Sequence, residues 1–181
     1  MAEWSRIARR IRVPLGFEFA FIYVWLARPT RTSILIGTVI AIAGLWLRGL
    51  ASGHVRKDKE LTTSGPYAYT RNPLYLGTLI LAAGFAIAAR SWVLAGIMVV
   101  IFLGIYIPAI WSEEAFLRDN FREFSDYSAR VPRLLPRLRA VRMGMGAFSW
   151  ELYRQHREYN AILGAATMMA ILIAKLYRIF R

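Results

Sequence analysis

The stretch Trp92-Val93-Leu94-Ala95-Gly96-Ile97-Met98-Val99-Val100-Ile101-Phe102-Leu103-Gly104-Ile105-Tyr106-Ile107-Pro108-Ala109-Ile110-Trp111 contains no charged residue. A hydrocarbon core about 30 Å thick needs about 20 helical residues at ~1.5 Å rise each, so this run predicts a membrane-crossing helix. Ser33 to Ala51, Pro73 to Ala89 and Asn160 to Tyr177 have the same character. Their charges are Arg48 and Lys175, near ends where long side chains can reach the headgroups. A fifth span is shorter: Leu15 to Ala27 contains Glu18, and it must draw on the Arg-containing stretch from Ile7 or end as one arm of a hairpin with the next helix. The expected fold is all-α, a polytopic membrane protein with about five transmembrane helices, cytoplasmic interfacial helices and no doubly wound sheet.

Composition points the same way. Of 181 residues, 57% are hydrophobic, more than a chain this short can bury in a water-soluble core. The absence of cysteine excludes disulfides, thiol nucleophiles and Cys-ligated metals, and two histidines, His54 and His156, leave too few ligands for a transition-metal site. Both histidines read as solvated loop residues. The net charge of +13 comes mainly from arginine placed between apolar runs, which suits anionic headgroups and argues against nucleic acid as a partner. With five spans and the N-terminus inside, 17 Lys and Arg fall on the cytoplasmic side and six outside, Arg48 being set apart within the membrane. No secretory signal is expected, because the Arg6 to Arg12 cluster is followed by Pro14 and Glu18 with no small-residue cleavage site. The chain reads as a single domain over 1–181.

Two cytoplasmic segments carry more special residues than connection requires. The first runs from Lys59 to Gly77. Gly65-Pro66 makes a turn, Pro73 suits a first helical turn, and Asn72 suits the N-cap before it. Tyr67, Tyr69, Tyr75 and Arg71 fit either an interfacial aromatic belt or a small-molecule site, where a helix N-terminus faces an anion and tyrosines face a heterocycle. Gly77 would admit a ligand or a neighbouring helix close to the backbone. The second segment runs from Glu113 to Pro136 and starts as an amphipathic helix. Glu114 to Arg118 is a four-residue step worth only ~0.2 to 0.5 kcal/mol as a pair. Adjacent carboxylates at a membrane helix end suggest a cationic or hydroxyl-bearing ligand.

The pattern GPYxYxRNPxYxG over 65–77, followed one helical hairpin later by EExxLxxxFxxFxxYxxRVPRLLP over 113–136, resembles the isoprenylcysteine carboxyl methyltransferase family and its phospholipid N-methyltransferase relatives. The motif-bearing part is 52–136. The resemblance implies a small all-helical membrane enzyme that takes a methyl group from S-adenosylmethionine, leaves S-adenosylhomocysteine, and methylates a prenylated or lipid acceptor at the cytoplasmic face. It implies a cofactor pocket of Lys59, Leu61, Gly65, Tyr67, Arg71, Asn72, Pro73 and Tyr75, closed by Glu113 and Glu114. Arg118, Tyr127 and Arg130 would border the acceptor, with Glu114 and Arg118 carrying the chemistry and no metal taking part. Many members have histidine at the position of Asn72, and isoprenylcysteine enzymes often have it at Lys59, so a histidine base is missing here. A carboxylate acceptor needs no base; an amine does, and Glu114 is then the acceptor of its proton.

Other readings stay open. Gly144-Met145-Gly146 is a lone GxG without a strand before it and reads as a flexible break. Leu138, Val141, Met145, Phe148 and Leu152 suit a basic interfacial helix over 137–159, ahead of the C-terminal span 160–177. Glu18 reads as structural, paired with Arg12 or a neighbouring helix. The alternative function classes are a phospholipid amine N-methyltransferase, a non-catalytic membrane scaffold, and a nicotinamide-dependent reductase.

Overall fold

The computed structural model describes residues 18–56, 60–141, 144 and 146–177. Among these the chain is helical with no strand. Helix α1 covers residues 18–26, and the part of the expected first span before it lies outside the described residues. Four helices follow in the bundle: α2 (Arg31–Ser52), α3 (Pro73–Ala89), α4 (Trp92–Asn120) and α7 (Tyr159–Leu176). Two short ones, α5 (Phe124–Arg130) and α6 (Trp150–Gln155), lie between α4 and α7. By length and composition α2, α4 and α7 can each cross a membrane, and α3 is a shorter apolar helix. The protein is an integral membrane protein.

Local chemistry sets the helix boundaries. Thr30 and Ser33 form a reciprocal capping box at the start of α2, with Thr30 N–H donating to Ser33 Oγ at 2.9 Å and Ser33 N–H to Thr30 Oγ1 at 3.2 Å. Pro73 opens α3, and α3 ends at Arg90 in the left-handed conformation. Helix α4 differs from expectation. Instead of stopping at Trp111 it runs unbroken to Asn120, carrying the two glutamates on its last turns, with a π-helical stretch at Phe102–Tyr106. Good helix formers such as Glu113, Ala115 and Leu117 continue the hydrogen-bond ladder after the apolar run has ended.

Helices α2 and α3 pack along a seam of small residues. A Cβ on Gly84 would lie 2.6 Å from Gly37 O, and one on Gly44 would lie 2.6 Å from Leu81 N. In lipid, where apolar surface gains nothing by leaving the solvent, such backbone approach supplies the dispersion contact that holds helices together. Ser33 Oγ adds a buried hydrogen bond to Ala88 O at 3.1 Å. At the same end the Arg28 N–H donates to Ala89 O at 2.8 Å, joining the turn before α2 to the turn after α3. Lys175 caps α1 by donating to the Val24 and Trp25 carbonyls. The opposite end of the bundle therefore gathers the C-terminus of α2 and the N-termini of α3 and α7, with the glutamate-bearing end of α4. A mostly apolar cavity of about 700 Å³ lies between α1, α2, α3, α4 and α7.

The interfacial helix expected over 137–159 is not formed. Described residues from Val131 to Ser149 are non-helical, and within 137–159 only the six residues of α6 and Tyr159, the first of α7, are helical. Pro132 and Pro136 lack donors, and the segment bonds elsewhere: Arg137 N–H to Tyr69 O at 3.0 Å and Val141 N–H to Ala68 O at 2.9 Å. It is a strap laid along the 65–68 turn. The flexible-break reading of Gly144 and Gly146 gives way to close packing, since a Cβ on Gly146 would stand 2.5 Å from Ser64 Oγ and one on Gly144 2.7 Å from Thr63 Oγ1.

Arg48 and the histidines also correct expectation. Arg48 does not reach out to the headgroups; its Nε and Nη2 hold Glu158 at 3.1 and 2.9 Å, and Nη1 donates to Thr78 Oγ1. Gly77 makes room for its stem, because a Cβ there would lie 2.7 Å from Arg48 Cγ. His54 and His156 are half-buried, with ring nitrogens 2.8 Å from Leu50 O and 3.0 Å from Ser52 O, on the last carbonyls of α2. Glu18 lines the cavity.

Candidate functional site

The site begins at the turn Gly65–Ala68, a short 3-10 helix. Gly65 sits at φ +58, the left-handed region, and a Cβ there would strike the His54 ring at 2.5 Å. Tyr127 on α5 donates its hydroxyl to Tyr67 O at 2.8 Å, so a buried phenol holds this turn in place. Burial raises both the Tyr67 and Tyr127 pKa values above the usual tyrosine range, and the Glu113 carboxylate pushes Tyr67 the same way. Both rings therefore stay protonated donors at neutral pH.

Asn72 occupies the N-cap position of α3, but its side chain does not cap the helix. It turns inward, where Nδ2 donates to Glu114 Oε1 at 3.1 Å and to Arg133 O at 2.9 Å. Glu114, on α4, is only 2% exposed. Its Oε2 accepts from Arg133 Nε at 3.0 Å and pairs with Arg133 Nη2 at 2.9 Å, while Oε1 also pairs with Arg71 Nη1 at 3.4 Å. A carboxylate this deep is tolerated because every side of it meets a donor. The backbone closes the arrangement: Arg71 N–H donates to Pro132 O at 2.9 Å, and Thr70 Oγ1 to Leu134 O at 3.0 Å.

A second carboxylate stands one position earlier. Tyr75, one turn into α3 from Asn72, donates to Glu113 Oε2 at 3.0 Å. The Tyr75 ring meets Tyr106 edge to face, centroids 6.0 Å apart, and Tyr106 lines the cavity. Thr78, a further turn along α3, lines it too and bonds Arg48. The α3 face thus carries a run of polar groups from the Glu114 cluster to the polar end of an apolar hollow. Among the described residues the Nε of Arg71 is the buried side-chain polar atom without a hydrogen-bond partner. Leaving a buried donor unpaired costs about 1–3 kcal/mol.

The structure thus joins Gly65, Tyr67, Arg71, Asn72, Pro73, Tyr75, Glu113 and Glu114 at one end of the bundle. Leu61 is nearby, packed on the Phe124, Tyr127 and Val131 cluster. Lys59 lies outside the described residues. Tyr127 is 2% exposed and bonds the turn at Tyr67 O. Arg118 and Arg130 are exposed; Arg130 pairs with Asp126 at 3.0 Å, and neither reaches the Glu114 cluster. Arg133, missed in the sequence reading, supplies two of the donors that hold Glu114. Its signal was present as the basic residue between Pro132 and Pro136, where proline fixes the backbone direction.

The phospholipid methyltransferase family model matches residues 30–123, from the start of α2 to just past α4. Nickel-cobalt-cadmium resistance protein NccN of Alcaligenes xylosoxydans xylosoxydans is 37% identical over 119 residues, 65% of this chain and 55% of that one. Cobalt-zinc-cadmium resistance protein CzcN of Cupriavidus metallidurans is 32% identical over 130 residues, 71% of this chain and 58% of its own. Protein-S-isoprenylcysteine O-methyltransferase of Schizosaccharomyces pombe is 24% identical over 140 residues, 74% and 59% respectively. The chain spans a little over half the length of these relatives. No solved structure matches it. With its two motifs meeting at Glu114 and more than half its length matched, the chain belongs to the phospholipid methyltransferase family.

Proposed function

We propose that this chain is a membrane methyltransferase that uses S-adenosylmethionine and methylates an amphiphilic acceptor at the cytoplasmic face. The observation that carries the reading is the set of Asn72, Arg71 and Arg133 around the buried Glu114, with the buried Arg71 Nε lacking a hydrogen-bond partner. The residues fit a nucleoside cofactor that carries an amino-acid end: Arg71 would take its carboxylate, and the Tyr67 and Tyr75 rings would flank its heterocycle. S-adenosylmethionine, when bound, supplies a methyl group on a positively charged sulfonium. Passing that methyl to a carboxylate breaks one C–S bond and makes one C–O bond, and no proton is released.

Proton balance favours such an acceptor over an amine. Glu114 is held by Asn72, Arg71 and Arg133, so it acts as a charged anchor that fixes the two arginines. Taking it as a base would break those contacts. Arg133 is 47% exposed beyond its bond to Glu114 and is the cation that would meet an acceptor's anionic head. The basic loops gather at this end of the bundle, which supports a cytoplasmic site.

Two relatives bear metal-resistance names, which favours as a second reading a non-catalytic membrane component. One experiment separates them: transfer of labelled methyl from S-adenosylmethionine to a lipid extract and to a prenylcysteine analogue, alongside thermal unfolding with S-adenosylhomocysteine. At ~100 times Kd a ligand stabilises by about 2.7 kcal/mol, roughly 5–10 °C for a chain of this size. No transfer and no thermal shift at saturation would defeat the enzyme reading.

A further inference from the structure

The cavity beside the site has one wall made by α7, a helix beyond residues 30–123 that the family model matches. Ala161, Gly164, Ala165 and Met168 form that wall, and their three- and four-residue steps put them on one face. Gly164 is unlike the seam glycines. At Gly37, Gly44, Gly77 and Gly84 a Cβ would meet another helix within 3 Å, whereas a Cβ on Gly164 meets nothing within 4 Å. Glycine inside a helix costs about 1 kcal/mol relative to alanine, and here no neighbouring helix accounts for it. Gly164 is exposed, and it is one of the residues that line the cavity.

The cavity has a direction. Arg48, Thr78 and Tyr106 stand at the end next to Tyr75 and Glu113, and apolar residues such as Phe19, Ile97 and Met98 line most of the rest. Its volume of about 700 Å³ lies in the range of small-molecule sites, ~300–1,000 Å³. A hollow with a polar end beside Tyr75 and Glu113 and a remainder apolar but for Glu18 suits one occupant, the hydrocarbon chain of an amphiphile whose head faces the site.

We infer that Gly164, with Ala161 and Ala165, sets the length and girth of the hydrocarbon chain this protein accepts. The inference rests on the methyl-acceptor reading above and assigns chain selectivity to α7, apart from the residues that hold the cofactor. Gly164→Leu places a branched side chain in the cavity and shortens the longest chain that enters. Gly96→Leu is the control, because a Cβ on Gly96 also meets nothing within 4 Å but Gly96 does not line the cavity.

The experiment uses the full chain in detergent with two acceptor series, geranyl-, farnesyl- and geranylgeranyl-cysteine analogues and lysophosphatidylethanolamines of increasing acyl length. Thermal stabilisation by each compound and labelled methyl transfer to each are both recorded. Gly164→Leu is expected to lower the long-to-short ratio by about tenfold or more in whichever series is used, while Gly96→Leu leaves it unchanged. Ala165→Leu is the second variant should Gly164→Leu not fold. An unchanged ratio in a folded cavity variant overturns the inference. So does a ratio that shifts in binding but not in methylation, since an ordinary bilayer lipid would then be the occupant. If neither variant folds, or the wild type shows no chain-length preference in binding, the cavity is a packing feature and the inference falls. Chain-selective binding that follows Gly164 without any methyl transfer would instead keep the chamber and defeat the enzyme reading.

Discussion

Replacing Glu114 with glutamine tests the centre of the site. The carboxylate presents two oxygens, one to Asn72 Nδ2 and Arg71, the other to Arg133 Nε and Nη2. An amide keeps one of them. Its nitrogen must then face either Arg133 or the Asn72–Arg71 side, donor against donor. Breaking a buried pair by removing one charge costs about 3–5 kcal/mol. Because Arg133 is 47% exposed, water takes up part of its loss, which puts the expected cost near the lower bound, about 3 kcal/mol. At roughly 2–4 °C per kcal/mol this lowers Tm by about 6–12 °C. Thermal unfolding in detergent, with and without S-adenosylhomocysteine, measures both this drop and the weaker ligand response expected once Arg71 loses its anchor. Adding Arg133→Met to the glutamine variant should recover part of the stability, because it removes the stranded cation. A glutamine variant within about 2 °C of wild type and with a full ligand response would refute the reasoning.

Two further perturbations probe the scaffold. Gly84→Val drives a side chain into the α2 backbone, 2.6 Å from Gly37 O and 2.7 Å from Ala41 N, and should cost about 3 kcal/mol, read as lost Tm; a wild-type Tm would mean that the helices can separate without penalty. Arg48→Leu strands Glu158, which is 13% exposed, and should cost about 3 kcal/mol, whereas the Arg48→Leu, Glu158→Leu double variant should regain most of it; simple addition of the two single losses would disprove the pairing argument.

Helix α3 matches its expected span residue for residue, and α2 and α7 do so to within two, because long uncharged runs leave one way to satisfy a backbone in lipid. Asn72 and Glu114 come together in the sequence only through the family resemblance, since Asn72 by itself reads as an N-cap. The strap was not legible. Leu138, Val141, Phe148 and Leu152 repeat at a helical spacing, but Pro132, Pro136 and the contacts of Ala68 and Tyr69 settle its course, and those are tertiary. Arg133 was obscured for the same reason. Arg118 enters the site only through the resemblance, its four-residue step from Glu114 reading as a solvated face; it is exposed, and the donors around Glu114 come from the Arg71–Asn72 turn and the strap. Nor does any local pattern join Arg48 to Glu158, 110 positions away.

The π-helical stretch at Phe102–Tyr106 acts as an angular setting for everything downstream on α4. A π turn holds about one residue more than an α turn, and one residue is worth about 100° of rotation. With ordinary α geometry at those five residues, Tyr106 would leave Tyr75 and the two glutamates would swing by about a quarter of a circle toward lipid. The phase of the carboxylates is therefore fixed two to three turns upstream of them, on the same stretch that lines the apolar cavity.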